Sequence, residues 1–434
     1  MVVFTRLIRS VALLWIALFV SAESEWASGQ DKGIDDFPKL QRNTDWPWWR
    51  GPMRNGIAID QDIPIEFGEK RSLQWQCELP GRSHGSPIVV GQRVFLPVAD
   101  EKDSTHSVIA VDRTNGKVLW RTEVNRGGFP TKNHPKNTEA SPTLASDGER
   151  LFGCFFHHDA IHLVTLDLDG QLIRNQRLGY FKPKMFEYGY APSPCLYQSN
   201  VIVCAEFDGD SFLVAIDRET GKEVWRTERP KSISFSSPVV AHVAGRDQLL
   251  ISGNLKLSSY DPTTGELLWD VEGTTNATCG TMVWDGDIVV ASGGYPKAET
   301  IAVKADGSRQ VLWRNAQKCY EQSMMMTNGF VYALTDKGVL FCWDARNGEQ
   351  KWLQRLKGPV SASPVLVRDR IYWANEQGTL YVFSANPNAF QLLAENQIGD
   401  ESFASPAVCG GQIFLRVARS SDGIRKEVLM CFAQ

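Results

Sequence analysis

Two glutamates, a histidine and a set of lysines and tyrosines are the groups in this chain whose types and spacing could do chemistry. Glu139 and Glu321 each stand two residues before a recurring Ser-Pro or Ser-Met step, and His84 occupies the same place one unit earlier. If these steps begin equivalent strands, the three side chains belong to one ring, in which Glu139 and Glu321 face each other and His84 neighbours Glu139. Such a rim could hold a cation or a polar ligand, or could simply be solvated. Lys132, His134 and Lys136 lie in one long connection and Lys182, Lys184, Tyr188 and Tyr190 in the next, with Lys231 before the unit that follows. Cationic and aromatic groups together suit an anionic planar ligand or an acidic peptide, and suit a solvated loop equally well.

Other constellations carry less chemistry. His157, His158 and His162 invite a metal reading. On a hairpin, however, adjacent residues tend to point to opposite sides, and no partner motif follows. Asp208-Gly-Asp210 and Asp285-Gly-Asp287 read as turns without the remaining residues of a calcium loop. No GxSxG, HExxH or phosphate-binding loop occurs. The sequence assigns no catalytic residue and no metal ligand.

The elements that must position these groups are strands. Steps at Ser86-Pro87, Ser141-Pro142, Ser193-Pro194, Ser237-Pro238, Thr281-Met282, Ser323-Met324, Ser363-Pro364 and Ser405-Pro406 open strand-forming runs at spacings of 55, 52, 44, 44, 42, 40 and 42 residues. A period in the forties with four short strands per unit predicts propeller blades, and eight starts predict an all-β, eight-bladed β-propeller.

A second signal recurs within the units. Asp112, Gly116 and Trp120 reappear as Asp217, Gly221 and Trp225, as Asp261, Gly265 and Trp269, and as Asp344, Gly348 and Trp352. A variant surrounds Asp306, Gly307 and Trp313; the second unit has Arg174 in place of Trp, and the seventh has lost the pattern. Asp bonds the backbone two residues on, Gly takes the φ > 0 position, and Trp opens an outer strand where its ring covers the seam between blades. These residues are structural.

The last unit ends one strand short, and Leu73-Gln-Trp75-Gln-Cys77 matches the missing outer strand. Residues 73–79 are expected to complete blade eight and remove an exposed edge. On the same reading, residues 1–40 are dispensable for stability. Extending the hairpin register puts Ala215 opposite Val224 and Cys431 opposite Gln74, leaving Cys77 out of reach of Cys431. With no CxxC and no adjacent pair among nine Cys, most thiols read as buried small apolar groups.

Arg6 and Arg9 precede an apolar run, Val11 to Val20, followed by small and polar residues. This order predicts a signal peptide over 1–29 and a mature chain that is periplasmic or extracellular, with no stable membrane anchor after cleavage. Residues 30–72 form a Trp-rich segment, with Trp46, Trp48, Trp49, Arg50 and Arg54. It is either a partner-docking patch or, as favoured here, a strap on the propeller's own flank. Residues 73–434 are the propeller. With 46 basic and 50 acidic residues and no long like-charge run, the chain carries no nucleic-acid footprint. A monomer is expected.

The Ala-x-Asp-x-x-Thr-Gly-Lys-x-x-Trp units and Ser-Pro starts resemble the pyrroloquinoline quinone (PQQ) repeat over residues 73–434. His134-Pro-Lys-Asn137-Thr-Glu139, followed by Asp147-Gly-Glu-Arg150, resembles exported PQQ-binding-like repeat proteins. The repeat builds both eight-bladed quinoprotein dehydrogenases and non-enzymatic propellers such as BamB. The dehydrogenase alternative implies PQQ and Ca²⁺, with a disulfide between adjacent cysteines that this chain lacks. The preferred reading is a non-catalytic exported propeller, without a cofactor, presenting its loop face to a protein, peptide or envelope polymer.

Overall fold

The computed structural model describes residues 32–421 and 423–434; the leader pattern of residues 1–29 lies outside them. Eight antiparallel four-stranded sheets follow one another as the blades of an eight-bladed β-propeller. Blade one is typical: Ile88–Val90, Arg93–Asp100, Thr105–Asp112 and Val118–Arg126, running from the channel outward. Inner and middle strands are buried on both faces, whereas Val118–Arg126 alternates, as expected for an outer strand wet on one side.

Ring closure uses the N-terminal strand. Leu73–Leu79 pairs with Ile424–Ala433, giving blade eight strands from both ends of the chain. The register differs from the expected one by a residue: Cys431 faces Trp75, Cys342 faces Trp352 and Ala215 faces Trp225. A β-bulge at the outer hairpin shifts the pairing so that the Trp comes opposite the small residue. Cys77 faces Leu429, and all nine cysteines are free thiols.

The repeat Trp residues are seam bolts between blades. The Trp75, Trp120, Trp225, Trp313 and Trp352 indoles each donate to a turn carbonyl of the next blade, at 2.8–3.2 Å. The ring lies against the turn glycine: a Cβ on Gly116 would come within 2.6 Å of Trp75, and Gly116 has φ +74°. Asp112 Oδ1 accepts from the Thr114 N–H and hydroxyl, which sets the turn. In blade two Arg174 takes the place of Trp over Gly221 and donates to the Glu219 carbonyl. Trp269 instead donates to Gln248, whose amide donates on to the Ala305 carbonyl of the following blade.

The Trp-rich segment packs on the propeller, but as a plug at one end of the channel and not as a strap on its flank. Trp46 pairs through its backbone with Val89 of blade one, Ser146 of blade two donates to Pro47, and Ala58 donates to Leu366 of blade seven. Arg50, 4 % exposed, donates to the Pro364 and Met324 carbonyls from inside the channel. Arg54 donates to the Leu196 carbonyl and lies over the Trp48 ring. Inner strands leave carbonyls facing a narrow axis, and guanidinium forks supply the donors. Burial without a facing carboxylate pulls the Arg50 pKa down to about 9. Ile34, Phe37 and Leu40 are also buried, against Trp48 and blade two, so residues 33–40 belong to the folded core and are not dispensable.

Replacing Trp75 with Ala should cost about 3–5 kcal/mol in urea unfolding, the range for a buried Trp that leaves a cavity. Val224→Ala on an exposed outer-strand site should cost under about 0.5 kcal/mol. Arg50→Ala should cost about 3 kcal/mol by orphaning channel carbonyls.

Candidate functional site

The inner strands start at one channel mouth, where a hydroxyl ring joins the blades. The Ser86 N–H donates to Thr143 Oγ1, Thr143 to Ser193, Ser193 to Ser237, Thr281 to Ser323, Ser323 to Ser363, Ser363 to Ser405, and Ser405 back to Ser86, all at 2.8–3.0 Å. Thr281 Oγ1 accepts the Trp49 indole N–H at 2.8 Å. The plug therefore reaches the ring and floors the space above it.

This ring corrects the alignment of blade two. Its member is Thr143, two residues before the strand Ala145–Ser146, and not Ser141. The residue two before the ring hydroxyl is therefore Ser141 in blade two, and Glu139 falls outside the set. Around the channel the set runs His84, Ser141, Ala191, Phe235, Cys279, Glu321, Ser361 and Phe403, and all eight line one cavity of about 180 Å³. Glu139 does not line it. Its carboxyl takes a hydrogen bond from Asn133 at 2.9 Å, and burial raises its pKa to about 7. Glu321 thus faces Ser141 and its loop, not a second glutamate.

The long connection before blade two supplies what stands opposite. Lys136 reaches from it to Glu376 of blade seven, Nζ to Oε1 2.7 Å, and Ser361 Oγ donates to the same oxygen at 2.7 Å. His134 and Lys136 line the cavity, as does Tyr188 from the following connection. Burial lowers the Lys136 pKa, but Glu376, Glu321 and Asp336 outweigh it and the net shift is upward. Asp336 is held by Lys318 at 3.1 Å and accepts the Tyr320 N–H at 2.8 Å.

Other candidate residues lie away from the cavity. Lys132 pairs with Glu187, Lys182 with Asp159 and Lys231 with Asp210, all on the surface. Lys184 is exposed, and its N–H donates to Asp208. Tyr190 is buried in the core, where its hydroxyl donates to the Cys204 carbonyl at 2.7 Å. His157 and His158 do not point apart: a turn with φ of 48° at His158 and 54° at Asp159 brings their rings to 4.4 Å, with His162 at 5.2 Å from His157.

Two groups escaped sequence reasoning. Glu376 sits on a Glu-Gln-Gly turn with no motif around it. Trp49 was visible as one of several Trp, but nothing in the pattern places it under the ring. The cavity consequently has two characters. Phe235, Tyr188 and Tyr320 form an aromatic side beside Cys279, with Tyr188 and Phe235 stacked at 6.3 Å. Glu321, next to Cys279 in the ring, is the carboxylate of the wall; Glu376 is bonded to Ser361 outside the lining, and His84 is stacked on Phe403 at 4.4 Å. Burial, reinforced by Arg82, Arg416 and Arg425, holds the His84 pKa well below its ordinary value, so the imidazole is neutral. Among the described residues its Nε2 is buried with no hydrogen-bond partner.

Glu321 is raised to about 7, first by burial and then by Asp336 and Glu376 against the pull of Lys136 and Lys318. A folded-state acid raised above its unfolded value contributes stability that is full below about pH 4.5 and lost as pH rises through about 7. Glu321→Gln should therefore match the wild type in urea unfolding at pH 5 and exceed it at pH 8, by a few kcal/mol at most. Equal midpoints at both pH values would show that the carboxyl is not desolvated.

Overlapping stretches of the chain, residues 68–185, 107–354 and 297–391, match the family described as outer membrane protein assembly factor BamB. A protein of that name from Moranella endobia is 22 % identical over 344 residues, 77 % of this chain and 83 % of the relative. A tetrathionate hydrolase from Acidithiobacillus ferrooxidans is 21 % identical over 391 residues, 80 % of this chain and 73 % of the relative. Among solved structures, a europium-containing methanol dehydrogenase aligns with a TM-score of 0.66 at 12 % identity, covering 92 % of this chain and 100 % of that one. BamB from Moraxella catarrhalis aligns with a TM-score of 0.57 at 13 % identity, covering 83 % and 96 %. The structural likenesses carry the propeller fold alone; the sequence matches, spanning residues 68–391, place the chain in the family of PQQ-like repeat propellers described as outer membrane protein assembly factor BamB.

Proposed function

We propose that this protein is a non-catalytic, exported binding protein whose loop face takes up a segment of a partner protein at the channel-mouth cavity. The observation that carries this reading is a cavity closed at its floor by the chain's own Trp49 and open at the loop side. A blind, half-aromatic pocket on a rigid ring suits the anchoring of a side chain from outside. The family's name, with its reference to assembly of outer membrane proteins, supports a protein partner. The leader pattern of residues 1–29 supports export. No helix among the described residues is long and apolar enough to cross a membrane.

Dehydrogenase chemistry is favoured less by the donor set. PQQ is a polycarboxylate that needs cations about it and a Ca²⁺ held by several oxygens. Here Glu321 would meet those carboxylates with its own charge, and Lys136 is committed to Glu376. Among the described residues no group of three or more His, Cys, Asp or Glu is placed to hold a metal ion. The residues of this cavity do not fit that cofactor.

A photo-crosslinking side chain placed at Tyr188 on the loop face should capture a defined envelope protein, whereas the same group at Val224 on the outer edge should not. Robust alcohol oxidation after incubation with PQQ and Ca²⁺ would overturn the reading, as would equal capture from both positions.

A further inference from the structure

The cavity has an unsatisfied charge. The Glu321 carboxyl stands on its wall and, among the described residues, accepts no hydrogen bond and enters no ion pair within 4 Å. Its neighbours are already occupied: Lys136 lies on Glu376 at 2.7 Å and Lys318 on Asp336 at 3.1 Å. Of the two oppositely charged residues that line the cavity, Lys136 is thus committed to Glu376, and Glu321 has no cation of its own. The neutral His84 ring, stacked on Phe403, lines the same cavity and adds no charge to it.

The remaining surface decides what kind of cation. Phe235 and Tyr188 put aromatic rings on the cavity wall, Trp49 lies beneath, and the Tyr320 ring already carries Lys318 at 5.2 Å. Ring faces attract a cation electrostatically and also cover an apolar stem. A carboxylate or phosphate would be repelled by Glu321. A bare metal ion would lack the cluster of ligands it requires, since no such group occurs among the described residues. A primary ammonium has three donors, and Glu321 and the hydroxyl ring supply acceptors.

We propose that this cavity binds a primary ammonium on an apolar stem, the side chain of a lysine presented by a partner protein, with Glu321 as its counter-ion. The proposal rests on the loop-face reading above and names the group that anchors the partner. A buried carboxylate paired only when the guest arrives gives selectivity, because a guest without charge leaves it desolvated and alone.

Proton linkage supplies an independent signature. Glu321 is raised to about 7, so below that pH the cation must displace a proton. Affinity should rise about tenfold per unit up to pH 7 and level off above it, until the guest ammonium itself titrates near pH 10. The other groups facing Glu321 are Lys136, Lys318, Asp336 and Glu376, together with Tyr320 and Cys279, whose pKa values burial pushes up. His84 and His134 are both shifted downward. Glu321→Gln isolates the linked group from all of these.

Calorimetric titration of the full chain with Nα-acetyl-lysine methylamide and with a capped Gly-Lys-Gly peptide tests the proposal. The expected result is binding of the lysine peptide, with at least a tenfold loss and a flattened pH profile in Glu321→Gln. Nα-acetyl-norleucine methylamide and Nα-acetyl-glutamate methylamide should bind at least tenfold more weakly. Retained circular dichroism shows that the variant folds. Unchanged affinity in Glu321→Gln, equal binding of the norleucine or glutamate probe, or no binding of either lysine probe would overturn the proposal. If cadaverine bound better than the peptide, the source would be a free amine and not a protein. If crosslinking through Tyr188 survives Glu321→Gln undiminished, the loop-face reading stands and the lysine anchor fails.

Discussion

Every feature of this propeller refers back to the circle of hydroxyl groups at the inner strand starts. A strand entering the channel has a backbone N–H with no ladder partner, and in seven of the eight blades that N–H donates to the Ser or Thr hydroxyl of the next blade. Individually these bonds contribute about 1 kcal/mol or less, as hydrogen bonds between neutral groups do. Collectively they set the spacing from blade to blade and so the width of the channel. A channel of that width must be filled or lined. Its far end is filled by Trp46, Trp48 and Arg50, and its near end remains open as the cavity.

The plug and the cavity are therefore two consequences of one geometry. Carbonyls at the far end face the axis, and the buried Arg50 satisfies two of them with no carboxylate partner among the described residues, which its downward shift reflects. At the near end Lys136 is taken by Glu376, and Glu321 on the cavity wall has no cation of its own. Trp49 marks the border, since its indole bonds the ring from below while its face floors the cavity.

The repeat made much of this legible before any coordinates. The period, the Asp-x-x-x-Gly turns and the Trp positions describe local geometry, and local geometry repeats in sequence. Closure by Leu73–Leu79 was legible for the same reason, because an outer strand carries the Trp pattern wherever it sits in the chain. The one-residue register error came from a bulge, which leaves no mark in composition. The misplacement of Glu139 came from a Ser-Pro step two residues early in blade two, where Thr143 without a Pro holds the ring position. A dipeptide was matched where the physical requirement is a hydroxyl two residues ahead of a strand.

The loop lysines show a limit of another kind. Lys132, Lys136, Lys182 and Lys231 look alike in sequence, yet three pair with nearby surface acids and only Lys136 crosses the mouth to another blade. What separates them is the long-range partner, Glu376, which is 240 residues away. Surface pairs of the first kind contribute little and vary freely. A pair that spans the channel mouth is different, because it narrows the opening and fixes the position of one cation beside Glu321. That contact leaves the Glu321 carboxyl near a positive charge but not bonded to it. The electrostatic character of the cavity is thus decided by one long-range contact, which the count of basic residues in the loops could not foretell.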